Sequence, residues 1–388
     1  MFTPKIDRIS YGGAMIGQEE IDAIMGVIKS QGGRRWTIGE ESLLFEEELA
    51  ENTGVARAVV TNSGSSALLV AMTALHLPKG SKVIIPAVNF PTAFNAILQV
   101  NCVPVVVDVD PDTLLIDINE VKKAIKEHDI KAVIAVNIAG NPVGLPKLRE
   151  VVGGDTYIIL DNCDGYGTKI QGDYVECFAD LACVSFHAAH IITTGEGGAI
   201  LGSNTELMDR CRKIREWGRA SGSDKIYEYE GFPDDYRQRY VYEEIGYNMK
   251  PLELQCAMGR VQLKKINDFK RRRLMNFCRL ESVFESYPQF QTMKYLDDAN
   301  ICWFSFPFRV KDGNRARVMD HLEGNNIECR TIFSGNVLLH PAYKNIEAIK
   351  IGDLKYANQI MRDGMFISCH PSITDEMIGF IDKCLSRL

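Results

Sequence analysis

Short apolar runs alternate with helical stretches along the first two-thirds of the chain. The apolar runs predict strands at 82–86, 103–108, 132–136, 157–161, 182–186 and 199–202. The stretches between them predict helices at 64–76, 91–100, 119–128 and 206–217. Strands separated by helices of this length are typical of βαβ units, so the pattern predicts an α/β fold with a mostly parallel sheet. The run Val105, Val106, Val107 lacks polar alternation, which indicates a strand buried on both faces.

The pattern changes after Pro251. Leu254, Met258 and Val261 follow i, i+4, i+7 spacing and predict one long helix that ends near Tyr287. The rest of the chain predicts a strand, a helix, a short strand and two helices, at 304–310, 315–325, 328–332, 353–362 and 374–385. This order predicts a small α+β unit that the long helix joins to the larger one.

Composition and charge narrow the class of protein. The chain has 388 residues and a net charge of −7. Its basic run, Lys270 to Arg273, lies in the long helical pattern, where a solvated face is preferred over a phosphate-binding patch. Nucleic acid is therefore not an expected partner. The first residues lack the apolar part of a secretion signal, and no apolar run reaches the roughly 18 residues of a membrane span. We therefore expect a soluble, cytoplasmic protein without a membrane partner.

The eleven cysteines are scattered along the chain and include no C-x-x-C pair. In a large chain without a secretion signal, this arrangement is typical of reduced thiols and argues against a disulfide framework or a zinc site. No metal site is predicted.

Small polar residues precede the first predicted helix. Gly64 and Ser65, within the stretch 62–67, would let backbone N–H groups at a helix N-terminus approach an anion. A plain helix cap explains the same residues, and both interpretations stay open. Asp161 ends an apolar strand, where open α/β sheets place ligands, although it could instead cap the following turn.

The stretch 185–199 carries the most information. Ser185 ends a predicted strand, a polar loop with His187 and His190 follows, and a glycine-rich turn at 195–198 opens the next strand. A lone histidine in such a loop would be structural. The ordered set of this loop with the Gly64 and Asp161 motifs indicates a ligand site instead.

With these motifs the chain resembles the DegT-type sugar-nucleotide aminotransferases, which are fold-type-I pyridoxal 5′-phosphate (PLP) enzymes. The resemblance covers nearly the whole chain and rests on residues 36–39, 62–67, 86–92, 160–163, 185–198, 246–248 and 335–336. It implies an aspartate-aminotransferase-type fold, with a large PLP-binding domain at 1–255 and a small C-terminal domain at 256–388. In that family a lysine five residues after the Ser185 position binds PLP covalently, whereas this chain has His190 there. Lys169 is the nearest upstream lysine, and it does not match the motif.

A histidine in place of the lysine is the mark of a branch of 3-dehydratases that act on nucleotide-linked 4-keto-6-deoxy sugars. One group of the branch belongs to the colitose pathway and uses a GDP-sugar. The other serves ascarylose-type pathways with a CDP-sugar and carries a [2Fe–2S] cluster on four cysteines. This chain keeps only Cys163 of those four, and Ser221 to Ser223 stand where closely spaced cysteines would be. Because the cluster needs four thiolates, we expect none here. The resemblance leaves the nucleotide undecided.

The resemblance also assigns roles to single residues. Asp161 would pair with the protonated pyridine nitrogen of the cofactor, and Phe90 would stack on its ring. Gly64, Ser65 and Ser185 would hold the phosphate. The remaining assignments are Asn248 of the partner subunit at the phosphate, Asp164 at the phenolic oxygen, and Trp36, Thr37, Arg330 and Asn336 at the substrate. Because the active site borrows a residue from its partner, a homodimer is implied.

The expected reaction uses pyridoxamine 5′-phosphate (PMP), whose amine condenses with the C4 ketone of the sugar. A base then removes a proton from the cofactor, and the C3 hydroxyl leaves. Imidazole suits this task because its pKa is about 6.5, whereas a lysine would be mostly protonated and would recapture the cofactor. We predict that His190 is the base, that L-glutamate regenerates PMP, and that the product is a 3-deoxy-4-keto sugar for 3,6-dideoxysugar biosynthesis.

Two other functions stay open at this point. The chain could be an aminotransferase that uses another lysine, or a catalytically silent protein that binds PLP or a sugar. Incubation with a 4-keto sugar and glutamate would separate the three, since it would yield a deoxysugar with ammonia, an aminosugar, or nothing.

Overall fold

The predicted alternation of strands and helices is present in the structure, a computed structural model. It describes residues 2–3, 7–30, 36–220, 229–232, 240–311 and 313–388. Within these residues the strands are β1 (Arg57–Thr61), β2 (Lys82–Pro86), β3 (Val103–Val107), β4 (Ile130–Val136), β5 (Tyr157–Asp161), β6 (Lys169–Ile170), β7 (Asp173–Tyr174), β8 (Leu181–Ser185), β9 (Gly198–Gly202), β10 (Phe290–Thr292), β11 (Ser305–Val310), β12 (Cys329–Thr331), β13 (Ile349–Lys350) and β14 (Gly364–Ser368). The helices are α1 (Gln18–Ser30), α2 (Glu40–Thr53), α3 (Gly64–Ala74), α4 (Pro91–Gln99), α5 (Ile118–Glu127), α6 (Leu145–Val152), α7 (Thr205–Arg215), α8 (Glu253–Glu285), α9 (Arg315–Glu323), α10 (Lys355–Asp363) and α11 (Asp375–Leu385).

The large sheet has the strand order β1-β9-β8-β5-β4-β2-β3-β13. The strands from β8 to β13 pair in parallel, and β9 runs antiparallel to its neighbours β1 and β8. The helices α2, α3, α4, α5 and α7 pack against this sheet. Val105 and Ile159 are fully buried, which explains why the strand sequences lack polar alternation. The prediction of an α/β fold with a mostly parallel sheet is confirmed.

Every strand and helix predicted from the sequence lies within two residues of its predicted ends. The pattern missed α1, α2, α6, β1, β14 and the short strands β6, β7, β10 and β13. The miss at β14 has a physical reason: α10 ends at Asp363 and β14 begins at Gly364, with no loop between them. A short apolar run that directly follows a helix has no periodicity of its own to separate the two.

The C-terminal part of the chain forms the predicted small α+β unit. Its antiparallel sheet has the order β10-β11-β14-β12, and α8 packs against β10 and β11. Aromatic side chains fill the contact: Phe277 of α8 stacks on Trp303 with ring centroids 3.8 Å apart, and Phe284 meets Phe306 and Phe308. These rings bury a large apolar area and tie the long helix to the small sheet.

Three features bear on the predicted division into 1–255 and 256–388. The division falls after the third residue of α8. Strand β13 of the C-terminal part pairs with β3 at the edge of the large sheet. Ile9, near the N-terminus, forms a β-bridge with Ile327 in the C-terminal part. The division itself stays a prediction.

The basic run in α8 differs from the expected solvated face. Arg271 and Arg272 face solvent and pair with Asp268, as expected. Arg273, however, is only 1% exposed, so the prediction is wrong for this residue. A straight helix turns by about 100° per residue, and four successive residues therefore cannot all share one face.

In the described parts of the chain, no helix is both long and apolar enough to cross a membrane. All eleven cysteines lie within those parts and carry free thiols, which agrees with the expectation of reduced cysteines. Ser221 and Ser223, on which the expectation about the iron–sulfur cluster partly rests, lie outside the described residues.

Candidate active site

A pocket of about 660 Å³ opens at the carboxyl ends of the sheet strands, within the usual range for small-molecule sites. Asp161 is the last residue of β5, Ser185 is the last of β8, and Gly64 begins α3 shortly after β1. Parallel strands bring these ends to one edge, where open α/β sheets bind ligands. The predicted site residues that line this pocket are Gly64, Ser65, Phe90, Asp161, Asp164, Ser185, His190 and Arg330.

The N-terminus of α3 forms one wall of the pocket. Ser63 caps the helix, since its side chain accepts a hydrogen bond from the Ser66 N–H at 3.1 Å. Gly64 and Ser65 then present the first helical N–H groups to the pocket, which suits an anion. A Cβ at Gly64 would lie 2.8 Å from the Ser185 Cβ, so this close approach requires glycine. The helix cap predicted from the sequence is therefore confirmed and is made by Ser63, and the anion cradle at Gly64 and Ser65 stays a prediction.

Asp161 lies at the floor of the pocket and is 4% exposed. Its Oδ1 accepts a hydrogen bond from the Cys163 N–H at 3.2 Å, and burial raises the pKa of this carboxyl. No cationic side chain of the described residues pairs with it. A buried carboxylate is costly without a counter-charge, so Asp161 fits a ligand that brings a cationic N–H group.

His190 projects from the loop after β8, and its side chain is 18% exposed. Its ring meets Phe304 edge-on, with centroids 5.4 Å apart, and lies 5.7 Å from the ring of His187. The Nδ1 atom is buried and has no hydrogen-bond partner among the described residues. Burial, followed by the charge of His187, lowers the pKa of His190 to about 3. The imidazole is therefore neutral near pH 7 and able to accept a proton.

Asp164 lies beside His190, with 3.7 Å between its Oδ1 and the His190 Nε2. Its Oδ2 accepts a hydrogen bond from the Ala139 N–H at 3.0 Å. Burial, with a smaller effect of the Asp161 charge, raises the pKa of Asp164 to about 8. The pocket thus holds two buried carboxyl groups, and like charges in one site favour proton uptake by one of them.

Aromatic and basic side chains form the outer wall. Phe90 is 54% exposed and meets Phe333 edge-on, with ring centroids 6.3 Å apart. The Arg330 guanidinium lies 4.5 Å from the centre of the Tyr11 ring and pairs with Glu328. The sequence analysis missed Tyr11, Phe333 and Phe304. Tyr11 lies far from every motif along the chain, and no local signal could have found it.

Four predicted site residues lie outside this pocket of the chain. Trp36 and Thr37 are exposed, and Asn248 accepts a hydrogen bond from the Lys250 ammonium at 2.6 Å. Asn336 is 3% exposed and caps a short helical turn, donating to the Asn358 Oδ1 at 2.7 Å and accepting from the Leu338 N–H. Its side chain is thus engaged within the fold.

Within the described residues, the pocket has His190 and Cys163 in its lining but no lysine that could bind a cofactor covalently. Lys169 lies elsewhere, with its ammonium 4.2 Å from the centre of the Tyr174 ring. Cys163 does line the pocket, where burial raises the pKa of its thiol well above the usual value. The thiol is therefore protonated near pH 7.

The comparisons with known proteins agree with this geometry. The chain is 33% identical to lipopolysaccharide biosynthesis protein RfbH of Salmonella typhimurium, over 95% of this chain and 89% of RfbH. It is also 33% identical to dTDP-4-dehydro-2,6-dideoxy-D-glucose 3-dehydratase of Saccharopolyspora spinosa, over 91% of this chain and 81% of that protein. A solved structure of GDP-4-keto-6-deoxymannose-3-dehydratase with a trapped PLP-glutamate geminal diamine superposes with a TM-score of 0.90 at 28% identity. The superposition covers 97% of this chain and 99% of the dehydratase chain.

The family model of the DegT/DnrJ/EryC1/StrS aminotransferases matches residues 14–385. The match spans both parts of the fold and every residue of the pocket described above except Tyr11. The predicted aminotransferase-type fold and the predicted family are therefore confirmed. The chain belongs to the DegT/DnrJ/EryC1/StrS aminotransferase family.

Proposed function

We propose that the chain is a PLP/PMP-dependent 3-dehydratase that removes the C3 hydroxyl of a nucleotide-linked 4-keto-6-deoxy hexose. The observation that carries the proposal is His190: a neutral, largely buried imidazole faces the pocket at the position of the family's lysine. The 3-dehydratases among the similar proteins, two of which are described above, support the same reaction class. The product is a 3-deoxy-4-keto sugar for 3,6-dideoxysugar biosynthesis, as in the O-antigen of lipopolysaccharide.

The residues of the pocket fit the cofactor. The cradle of Gly64, Ser65 and Ser185 suits its phosphate, and the buried carboxylate of Asp161 suits a protonated pyridine nitrogen. The exposed ring of Phe90 offers a stacking face, and Asp164 is placed for the phenolic oxygen. When bound, PMP supplies an amine for the C4 ketone and a conjugated ring that accepts electrons.

His190 acts as the general base in this proposal. Its Nε2 accepts the proton that must be removed before the C3 hydroxyl leaves, and the Asp164 carboxyl lies 3.7 Å from that atom. The low pKa keeps His190 in the neutral, proton-accepting form in the free protein. An imidazole also cannot form a covalent link with the cofactor, so water, and not a lysine, would release the product. Hydrolysis of the carbon–nitrogen bond of that product would give the C4 ketone and ammonia.

L-Glutamate is the proposed amino donor that restores PMP after each turnover. The glutamate adduct in the solved dehydratase structure supports this choice. With a 4-keto-6-deoxy sugar nucleotide and glutamate, we expect many turnovers, in which 2-oxoglutarate, ammonia and deoxysugar form in equal amounts. NADH and a flavin reductase should be dispensable. A single turnover that only an added reductase converts to cycling would contradict the mechanism, and an aminosugar product would show an aminotransferase.

The nucleotide of the substrate differs among the similar 3-dehydratases, one of which is named for a dTDP-sugar and another for a GDP-sugar. Competition binding with GDP, CDP and dTDP would rank the three directly. Trp36, Thr37, Arg330 and Asn336 are the proposed substrate contacts. Of these, Arg330 lines the pocket, and its guanidinium suits an anionic group of the substrate.

We also infer a cytoplasmic homodimer with shared active sites. Asn248 lies outside its own chain's pocket, as expected if it serves the phosphate site of the partner subunit. Apolar side chains near it are exposed, among them Trp217, Tyr242 and Ile245, which is 91% exposed. Clustered exposed apolar groups are typical of an interface. We also propose that each subunit divides into a large PLP-binding domain at 1–255 and a small C-terminal domain at 256–388.

The mode of cofactor attachment gives a direct prediction. Because His190 stands where the lysine would be, PLP should be bound without a covalent link. Gel filtration or dialysis should remove it without hydroxylamine, and absorbance of the filtrate measures the loss. Borohydride treatment followed by peptide mapping serves as the counter-test: a reduced lysyl adduct of PLP would contradict the prediction.

A further inference from the structure

A buried arginine lies behind the loop that carries His190. Arg273 of α8 is 1% exposed, and its guanidinium donates to backbone carbonyls. Nη1 donates to Phe304 at 2.7 Å and to Trp303 at 3.4 Å, and Nη2 donates to His190 at 3.4 Å. The buried Arg215 pairs with the carboxylate of Glu46, but Arg273 forms no such ion pair with the described residues. A buried charge without a counter-charge costs free energy. The three backbone carbonyls are therefore the groups that stabilise the Arg273 guanidinium in the fold.

Two of the three carbonyls belong to residues whose rings touch. The ring of Phe304 meets the ring of His190 at an interplanar angle of 86°. The backbone of the loop turns sharply at this point, since the His190 N–H donates to the His187 carbonyl at 2.9 Å. The His190 ring has no hydrogen bond of its own at Nδ1. The ring contacts Phe304, His187 and Asp164, and Arg273 binds the backbone carbonyls of both Phe304 and His190.

We propose that Arg273 is a positioning residue for His190. Its guanidinium binds the carbonyls of His190 and Phe304 together, so that the imidazole is held between Phe304 and Asp164 in the pocket. This proposal rests on the proposed function, because positioning matters for catalysis only if His190 is the base. The planar guanidinium suits the task, since its donors diverge and can reach two backbone segments at once.

The charges around His190 agree with this role. The His187 ring lies beside the His190 ring and 3.9 Å from the Glu196 carboxylate, Asp164 faces His190 from the loop after β5, and Arg273 binds its carbonyl from α8. Burial is the main cause of the low pKa of His190, with His187 next and Arg273 contributing in the same direction. Arg273 also lowers the pKa of Asp164, against the larger effect of burial. The Arg273 charge thus lowers both pKa values, while burial keeps the pKa of Asp164 raised to about 8.

The test uses Arg273→Lys and Arg273→Gln in the full-length protein with PLP bound. Lysine keeps the charge but has one ammonium group, and glutamine keeps an N–H donor without the charge. For both we expect kcat to fall about 10²-fold, as a misplaced base would cause, with KM for the sugar nucleotide unchanged. With only 7 histidines in the chain, NMR of ¹³C-labelled histidine resolves His190, whose signal His190→Asn identifies. Its ring-current shift from Phe304 should decrease in both variants.

Arg272→Gln, one residue earlier on the exposed side of α8, is the matched control and should leave kcat and the NMR signal as in the parent. If Arg273→Gln does not fold, Arg273→Lys decides alone. A folded Arg273→Lys variant with parental kcat and a parental His190 signal would overturn the proposal. Failure of the proposed function looks different: the parent protein would then form no deoxysugar, or His190→Asn would form it at the parental rate, whatever the Arg273 variants do.

Discussion

His190→Lys is expected to abolish dehydration and to make the chain hold PLP covalently. The lysine would stand at the family's attachment position and would bind the cofactor aldehyde, which shows as a new visible absorbance that gel filtration does not remove. Loss of the general base should lower the rate of deoxysugar formation by roughly 10²–10⁴-fold. The absorbance spectrum and the rate of ammonia release measure the two effects separately.

The control for this substitution is His128→Lys, at the end of α5 and outside the pocket lining. It introduces the same side chain and should change neither the spectrum nor the rate. If His190→Lys released the 3-deoxy product at close to the parental rate, His190 would not be the base. The reaction would then have to use another proton acceptor in the pocket.

Asp161→Asn should weaken PLP binding strongly. In the proposed complex, the buried carboxylate faces the protonated pyridine nitrogen, and removing one partner of a buried ion pair costs about 3–5 kcal/mol. At about 1.4 kcal/mol for each factor of ten, the affinity should fall by at least about 10²-fold. Titration of the stripped protein with PLP, followed by protein fluorescence, measures the change in Kd.

The same titration with Asp173→Asn provides the comparison, because Asp173 is exposed at the start of β7. That variant should bind PLP like the parent. An Asp161→Asn protein with parental affinity would show that the Asp161 carboxylate does not pair with the cofactor. The buried Asp164 would then be the alternative partner, and Asp164→Asn would test it in the same way.

The sequence predicted most of the fold because the signal for each element is local. The strand at 157–161 and the helix at 91–100 could be located from their own residues, since apolar content and length distinguish a buried strand from a helix. The same approach failed where one element runs into the next, as at α10 and β14. It also failed at Arg273, because a run of charged residues does not reveal which of them turns inward.

The candidate site was predictable where a motif lies at the end of a predicted strand. Asp161 and Ser185 end β5 and β8, and the geometry of a parallel sheet brings such ends together. Asn336 shows the limit: its motif was visible, but its side chain is engaged by Asn358 and Leu338 within the fold. Phe304 and Tyr11 carried no motif, and they enter the pocket through packing alone.

By itself, the sequence determined the alternation of most strands and helices, the mostly parallel sheet and the presence of histidine at position 190. Each of these depends on residues close together in the chain or on a residue's identity. Only the tertiary structure decided that burial lowers the pKa of His190 to about 3, that Asp164 lies 3.7 Å from its imidazole and that Arg273 binds its carbonyl. Burial and electrostatic interactions sum over groups far apart in sequence, so no local pattern records them.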